Sequence, residues 1–238
     1  MARFYGRDSR YLLERDYGYF FWALAVILLP VVVGYIAYVF ASPLAAIVIA
    51  VALLFFVVKW IQPLIYFFKR KSDMFYKGRY GEKDIKKELR ELPDDYAVFE
   101  GVMLDKNHGD IDFVLVGPKG IVSLEVKSLG GGIGYDGHSL TVNGRKLRGR
   151  DFLAQAFGEA RAISMYVRGN LGVDVYTKPV LVFSSPFAVV HFGDLPVDNV
   201  YVASKETIFS VLHSFSDYQW QREEQHKVEA LLKVTVGR

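Results

Sequence analysis

The chain has 238 residues, 52% of them hydrophobic, and no cysteine, so disulfide frameworks and cysteine-ligated metals are excluded. Lys and Arg together number 29 against 26 Asp and Glu, a net charge of +3. That is too small for a protein whose whole surface binds a polyanion, though a local basic patch stays open.

Residues 17 to 58 contain no Asp, Glu, Lys or Arg. The stretch is too long for one bilayer crossing, which takes roughly 20 apolar residues, and suits two. Pro43, in Ala41-Ser42-Pro43, marks the break. The spans are expected near Tyr19–Phe40 and Leu44–Phe68. Soluble helices show one apolar stripe, whereas these are apolar all round. Asp8, Glu14 and Asp16 ahead of them do not suit a secretory signal. Arg3, Arg7, Arg10 and Arg15 precede the pair, and Lys69, Arg70 and Lys71 follow it. The positive-inside rule then leaves both termini in the cytoplasm of a multi-pass cell-membrane protein. The expected organisation is a cytoplasmic segment at 1–18, two transmembrane helices within 19–68, a linker at 69–78 and a cytoplasmic domain at 79–238.

Within that domain, Ile85, Leu89 and Leu92 recur at helical spacing and predict a helix over Gly81–Leu92. Strands are expected at Tyr96–Leu104, Ile111–Val116 and Ile121–Lys127, the last two joined by the turn Gly117-Pro118-Lys119-Gly120. Gly130–Gly134 is glycine-rich, with Gly130-Gly131-Gly132 reading as a flexible turn, and Ser139–Asn143 reads as a short strand. A long helix over Asp151–Val167, strands at Pro179–Ser184 and Asn199–Ala203, and helices at Lys205–Phe215 and Asp217–Lys233 complete the list. This alternation indicates a mixed α/β sheet.

If Gly117 faces Gly120, then Phe113 faces Leu124, Leu115 faces Val122 and Ile111 faces Val126, an entirely apolar face. On the other face Asp112 lies opposite Glu125, with Cβ atoms roughly 4.5–5.5 Å apart, and Lys127 follows on Glu125's side. Like charges opposite each other destabilise a sheet. Mg²⁺, which binds one or two carboxylates and keeps several waters, offsets that repulsion. A lysine beside such a site stabilises charge developing on a phosphate. Metal-assisted phosphodiester hydrolysis is one reading. A solvent-facing strand end in which Lys127 bridges both acids is the other. Asp110 pairs opposite Lys127, where a simple ion pair suffices.

Gly81-Glu82 opening a helix, Asp112 within Gly109–Gly117, Glu125-x-Lys127 on the next strand and Gln155 in a later helix form an ordered set. It resembles the nuclease-related domain (NERD) family of the PD-(D/E)XK phosphodiesterase superfamily, over roughly residues 79–190. The resemblance implies a restriction-endonuclease-like fold: a mixed sheet flanked by helices, here preceded by a two-helix transmembrane hairpin. By the same resemblance, Asp112 and Glu125 ligate Mg²⁺ or Mn²⁺, Lys127 assists the attacking water, Glu82 reaches the metal from the first helix, and Gln155 orients site groups or contacts a phosphate. Ile111 stands where the superfamily has proline.

Arg145, Lys146, Arg148 and Arg150 form a basic cluster just before the Gln155 helix, suited to nucleic-acid phosphates. The five histidines show no zinc-ligand spacing. The sequence therefore reads as a membrane-anchored metal-dependent nuclease acting on DNA, with a homo-oligomer compatible with its two spans. The alternatives are a non-catalytic membrane-bound module on the same fold, binding nucleic acid or protein, and a structural hairpin protein whose cytoplasmic domain mediates assembly.

Overall fold

Alternating apolar residues and a two-residue turn close 111–127 into the hairpin the sequence predicts. In the computed structural model, Ile111–Gly117 and Gly120–Lys127 pair antiparallel, with Phe113 opposite Leu124 and Val116 opposite Ile121. Gly120 adopts φ +88°, and a Cβ on Gly117 would lie 2.5 Å from the Tyr96 ring, so glycine is required at both ends of the turn. The structure describes residues 1–6, scattered positions between 28 and 59, and residues 78–104, 109–147, 151–191, 195–221 and 223–236.

The hairpin forms the centre of a six-stranded mixed sheet. In chain order the strands are β1 (Arg3–Gly6), β2 (Ala97–Val102), β3 (Ile111–Gly117), β4 (Gly120–Lys127), β8 (Thr177–Phe183) and β10 (Tyr201–Ser204), and they lie side by side in that order. β1 runs parallel to β2, and β4, β8 and β10 are mutually parallel. A smaller sheet joins β5 (Gly131–Tyr135), β6 (Leu140–Val142), β7 (Arg145–Lys146) and β9 (Ala188–Val190).

Helices cover both faces of the large sheet. On one face Ile85 and Leu89 of α1 (78–89) and Ile208, Val211 and Leu212 of α3 (Ile208–Ser214) pack on Phe113, Leu115, Val122 and Leu124. On the other, Ile163 and Val167 of α2 (Phe152–Leu171) and Val228 and Leu232 of α4 (Glu224–Lys233) pack on Phe99, Val114, Val116 and Ile121. The central strands, buried on both sides, are accordingly near-continuous apolar runs. α2 begins where the Asp151 carboxylate accepts the Ala154 N–H at 3.0 Å and ends at Gly172, φ 70°, an N-cap and a left-handed C-cap.

Several local readings are corrected. Ile111 does not share a face with Phe113 and Val126; it packs in the α2–α4 cluster. The alternation breaks there because Gly101, on the paired strand, adopts φ +65° and the ladder gives way to a side-chain contact at Asp112. Gly130-Gly131-Gly132 is not a free turn: Gly131 and Gly132 open β5, where Asn143 and His191 approach too closely for side chains. Of the helix expected over Asp217–Lys233, only Glu224–Lys233 is helical. Ahead of it, the Tyr218 N–H donates to Pro118 O at 2.7 Å and the Trp220 indole to Gly117 O at 2.9 Å, tying that segment to the hairpin turn.

The chain divides into two units, Met1–Arg7 with Tyr76–Arg238, and Asp8–Phe75. β1 thus belongs to the sheet-bearing unit. Most of 19–68, where the two spans are expected, lies outside the described residues. The described positions from 28 to 59 are helical, with Tyr35, Leu44 and Phe55 among the exposed apolar side chains. Among the described residues no helix is long and apolar enough to cross a membrane.

Candidate functional site

The site lies where the β3–β4 ladder ends. Phe113 and Leu124 are the last paired residues at that end. One step beyond, the Asp112 carboxylate takes the place of a main-chain acceptor and receives the Val126 N–H on Oδ2 at 2.7 Å. Glu125, 3% exposed, lies on the neighbouring strand. Lys127 pairs with Glu125 Oε1, and its Nζ sits 5.1 Å from the Phe152 ring centroid. The ammonium thus faces Glu125 rather than Asp110, the partner suggested by strand register. Packing on the aromatic face adds a cation–π attraction.

α2 lays its first turns over these strand ends. The Gln155 carboxamide donates through Nε2 to Glu125 Oε1 at 2.8 Å and to Glu159 Oε1 at 2.9 Å. Glu159 is a residue the sequence reading missed. Its signal was its place one helical turn after Gln155, on the same face. Its other oxygen, Oε2, is buried without a hydrogen-bond partner.

Glu82 approaches from α1. The helix can come this close because position 81 is glycine: a Cβ there would overlap the hydroxyl oxygens of both Ser128 and Ser184. Those serines hydrogen-bond to each other at 3.1 Å, beside the ends of β4 and β8.

The electrostatics are those of crowded, desolvated carboxylates. Burial pushes the Glu82 carboxyl up to about 7, helped by Asp110, Glu100 and Glu125 and opposed by Arg79. Burial, then Glu125 and Glu82, raise Asp112 well above the ordinary carboxylate range, against the Val126 N–H and Lys127. Burial and the Glu125 charge push Glu159 up to about 8, against the Gln155 hydrogen bond. Perturbed acids facing a cleft are a recurrent mark of functional sites. Here Asp112 and Glu159, with Asp110, Glu125, Gln155 and Gly158, line a cavity of about 490 Å³; Glu82 is not part of its wall.

The donor set suits a hard cation. Asp112 and Glu125 supply two carboxylates, the number Mg²⁺ takes while keeping waters. Each commits one oxygen to protein donors and has a second outside those bonds. The orphaned Glu159 oxygen is a further buried acceptor beside them. Among the described residues, no group of three or more His, Cys, Asp or Glu is placed to hold a metal ion, so any cation would rest on two carboxylates and water.

The basic cluster is only partly described. Arg145 and Lys146 form β7 and are exposed; Lys146 pairs with Asp136 at 3.0 Å. Arg148 and Arg150 lie outside the described residues, as does His108.

A mixed sheet flanked by helices, with acids and a lysine gathered at adjacent strand ends, fits a nuclease-like fold. Residues 77–184 match the family model described as the nuclease-related domain, NERD. No curated protein and no solved structure matches the chain.

Proposed function

We propose that the domain is a metal-dependent nuclease with a PD-(D/E)XK site on a restriction-endonuclease-like fold, acting on phosphodiester bonds of DNA. The observation that carries this reading is the meeting of Asp112, Glu125 and Gln155 on the wall of one cavity, with Lys127 paired to Glu125. Asp112 and Glu125 would hold Mg²⁺ or Mn²⁺, with Glu82 near them in support. The bound cation supplies Lewis acidity toward a phosphate oxygen and lowers the pKa of an attacking water. Lys127, held between Glu125 and the Phe152 ring, offers its ammonium to the attacking water and to negative charge growing on the phosphate. Gln155 keeps Glu125 oriented. Arg145 and Lys146, with Arg148 and Arg150, would receive the nucleic-acid backbone.

The reading includes membrane attachment through two helices within 19–68, with both termini and the domain in the cytoplasm. Three things support it: the charge-free stretch 17–58, the exposed apolar side chains of its described positions, and the pairing of β1 with β2. β1 precedes the stretch and β2 follows it, yet they share one sheet. A chain with both ends of a segment in one sheet crosses a bilayer an even number of times.

Titrating Mn²⁺ calorimetrically into the detergent-solubilised full chain tests the site. The wild type should bind Mn²⁺, and Asp112→Ala/Glu125→Ala should not. Equal heats from both proteins would remove the metal site. The domain would then stand as a non-catalytic module binding nucleic acid or protein through its exposed basic strand.

A further inference from the structure

Glu125 Oε1 receives two donors, the Lys127 ammonium and the Gln155 carboxamide nitrogen. That nitrogen is shared: one N–H goes to Glu125 and the other to Glu159 Oε1, at 2.8 and 2.9 Å. A primary carboxamide has two N–H groups on one nitrogen, fixed in the amide plane. With both engaged, the plane of Gln155 is set, and with it the side from which Glu125 is held. Without Glu159, Gln155 would have one anchor and its amide could rotate or reverse. Glu159 sits one turn further along α2 and is positioned by the helix itself, so it serves as the fixed end of this arrangement.

We propose that Glu159 is a positioning residue of the nuclease site, holding the Gln155 carboxamide against Glu125 so that Glu125 keeps its second oxygen available to the cation. The proposal rests on the nuclease reading. It assigns Glu159 no contact with the cation, in keeping with a metal held by two carboxylates. Its role needs only an acceptor oxygen at this position, and a glutamine supplies one.

The test compares Glu159→Gln with Glu159→Ala in the full chain. Each is titrated with Mn²⁺ calorimetrically and assayed for Mn²⁺-dependent DNA cleavage, after circular dichroism melts establish that it folds. Loss of an outer residue that orients a ligand typically lowers metal affinity or activity about 10–100-fold. Glu159→Ala should fall in that range for both readouts, and Glu159→Gln should stay within about threefold of wild type, since it keeps the acceptor. A merely structural role would shift the melts without this split. If Glu159→Gln loses as much as Glu159→Ala, the charge itself is needed, Glu159 is a ligand and the positioning role is overturned. Wild-type behaviour of Glu159→Ala overturns it too. If wild type binds no Mn²⁺, the nuclease reading fails first and takes the proposal with it.

Discussion

Arg3 and Glu229 stand 226 positions apart and form a two-pronged ion pair, with N–O distances of 2.8 and 2.9 Å. The pair joins β1 to α4, and the Glu229 side chain is 3% exposed. The residues before the charge-free stretch are thus built into the domain that follows it. Tyr5 stacks on Phe99 at 5.2 Å between ring centroids, adding to the same seam.

Arg3→Ala leaves Glu229 buried without its cation. Breaking a buried pair in this way costs about 3–5 kcal/mol; Arg3 is itself 38% exposed, so about 2–3 kcal/mol is expected. A fragment starting at residue 76 should lose more, since it also bares the edge of β2. Joining residues 1–7 to 76–238 through a flexible linker should restore the loss. Urea melts of the three proteins decide: equal midpoints for the fragment and the joined chain would show that β1 contributes nothing.

Glu82 and Glu159 bind protons more tightly in the folded state, with values pushed up to about 7 and about 8 from an ordinary 4.5. The stability they contribute is fully present below about pH 4.5 and is lost as pH rises through 7 and 8. Without divalent cation, the melting temperature should therefore fall between pH 5 and pH 8. A cation favours the ionised acids, so Mn²⁺ should raise the melting temperature more at pH 8 than at pH 5.5. A metal-free melting temperature that rises over this range contradicts the account.

Gly158 lines the cavity, and a Cβ there meets nothing within 4 Å. Gly158→Leu should stabilise α2 by about 0.8 kcal/mol through helix propensity, yet obstruct the cleft and cut cleavage roughly 100-fold. A thermal melt beside a cleavage assay separates these effects. Unchanged cleavage would mean that substrate does not use the cavity.

Gly81 and Gly169 both lie in helices but predict opposite outcomes. Gly81→Ala drives a methyl into Ser128 and Ser184, costing about 1–3 kcal/mol by overpacking and moving Glu82 away from the acids. Gly169→Ala meets open space and should stabilise by about 0.8 kcal/mol. Parallel denaturant titrations check both; a stable, fully active Gly81→Ala protein would remove the reason given for glycine beside Glu82.

Much of this architecture was legible in the sequence because it rests on short-range patterns. The period-two alternation and the Gly-Pro-Lys-Gly turn place Phe113 opposite Leu124, and the helix expected from Asp151 onward is α2. Where tertiary contacts decide, the reading failed. β1 is four residues whose strand character comes from pairing with β2, across some 90 residues of chain. β5 is so rich in glycine that it reads as a turn, although those glycines are there to admit Asn143 and His191. The segment around Trp220 looks helical by composition, but its indole and main-chain bonds to the hairpin turn outweigh propensity. At the site, strand register puts Asp112 opposite Glu125, but the ladder stops at Phe113 and Leu124 and Asp112 meets the next strand through the Val126 N–H. Glu159 was hidden because its role appears only through its shared hydrogen bond with Gln155.

The central claim is that Asp112, Glu125 and Lys127 form a site for phosphodiester hydrolysis. The most direct measurement is cleavage of DNA by the full chain with Mg²⁺, with EDTA, and by Lys127→Met with Mg²⁺. Lys127→Met removes the ammonium while leaving both carboxylates, so it should still bind Mn²⁺ but cleave roughly 100–1,000-fold more slowly. EDTA should abolish wild-type cleavage. Cleavage that survives EDTA, or that proceeds at the wild-type rate in Lys127→Met, would contradict the account.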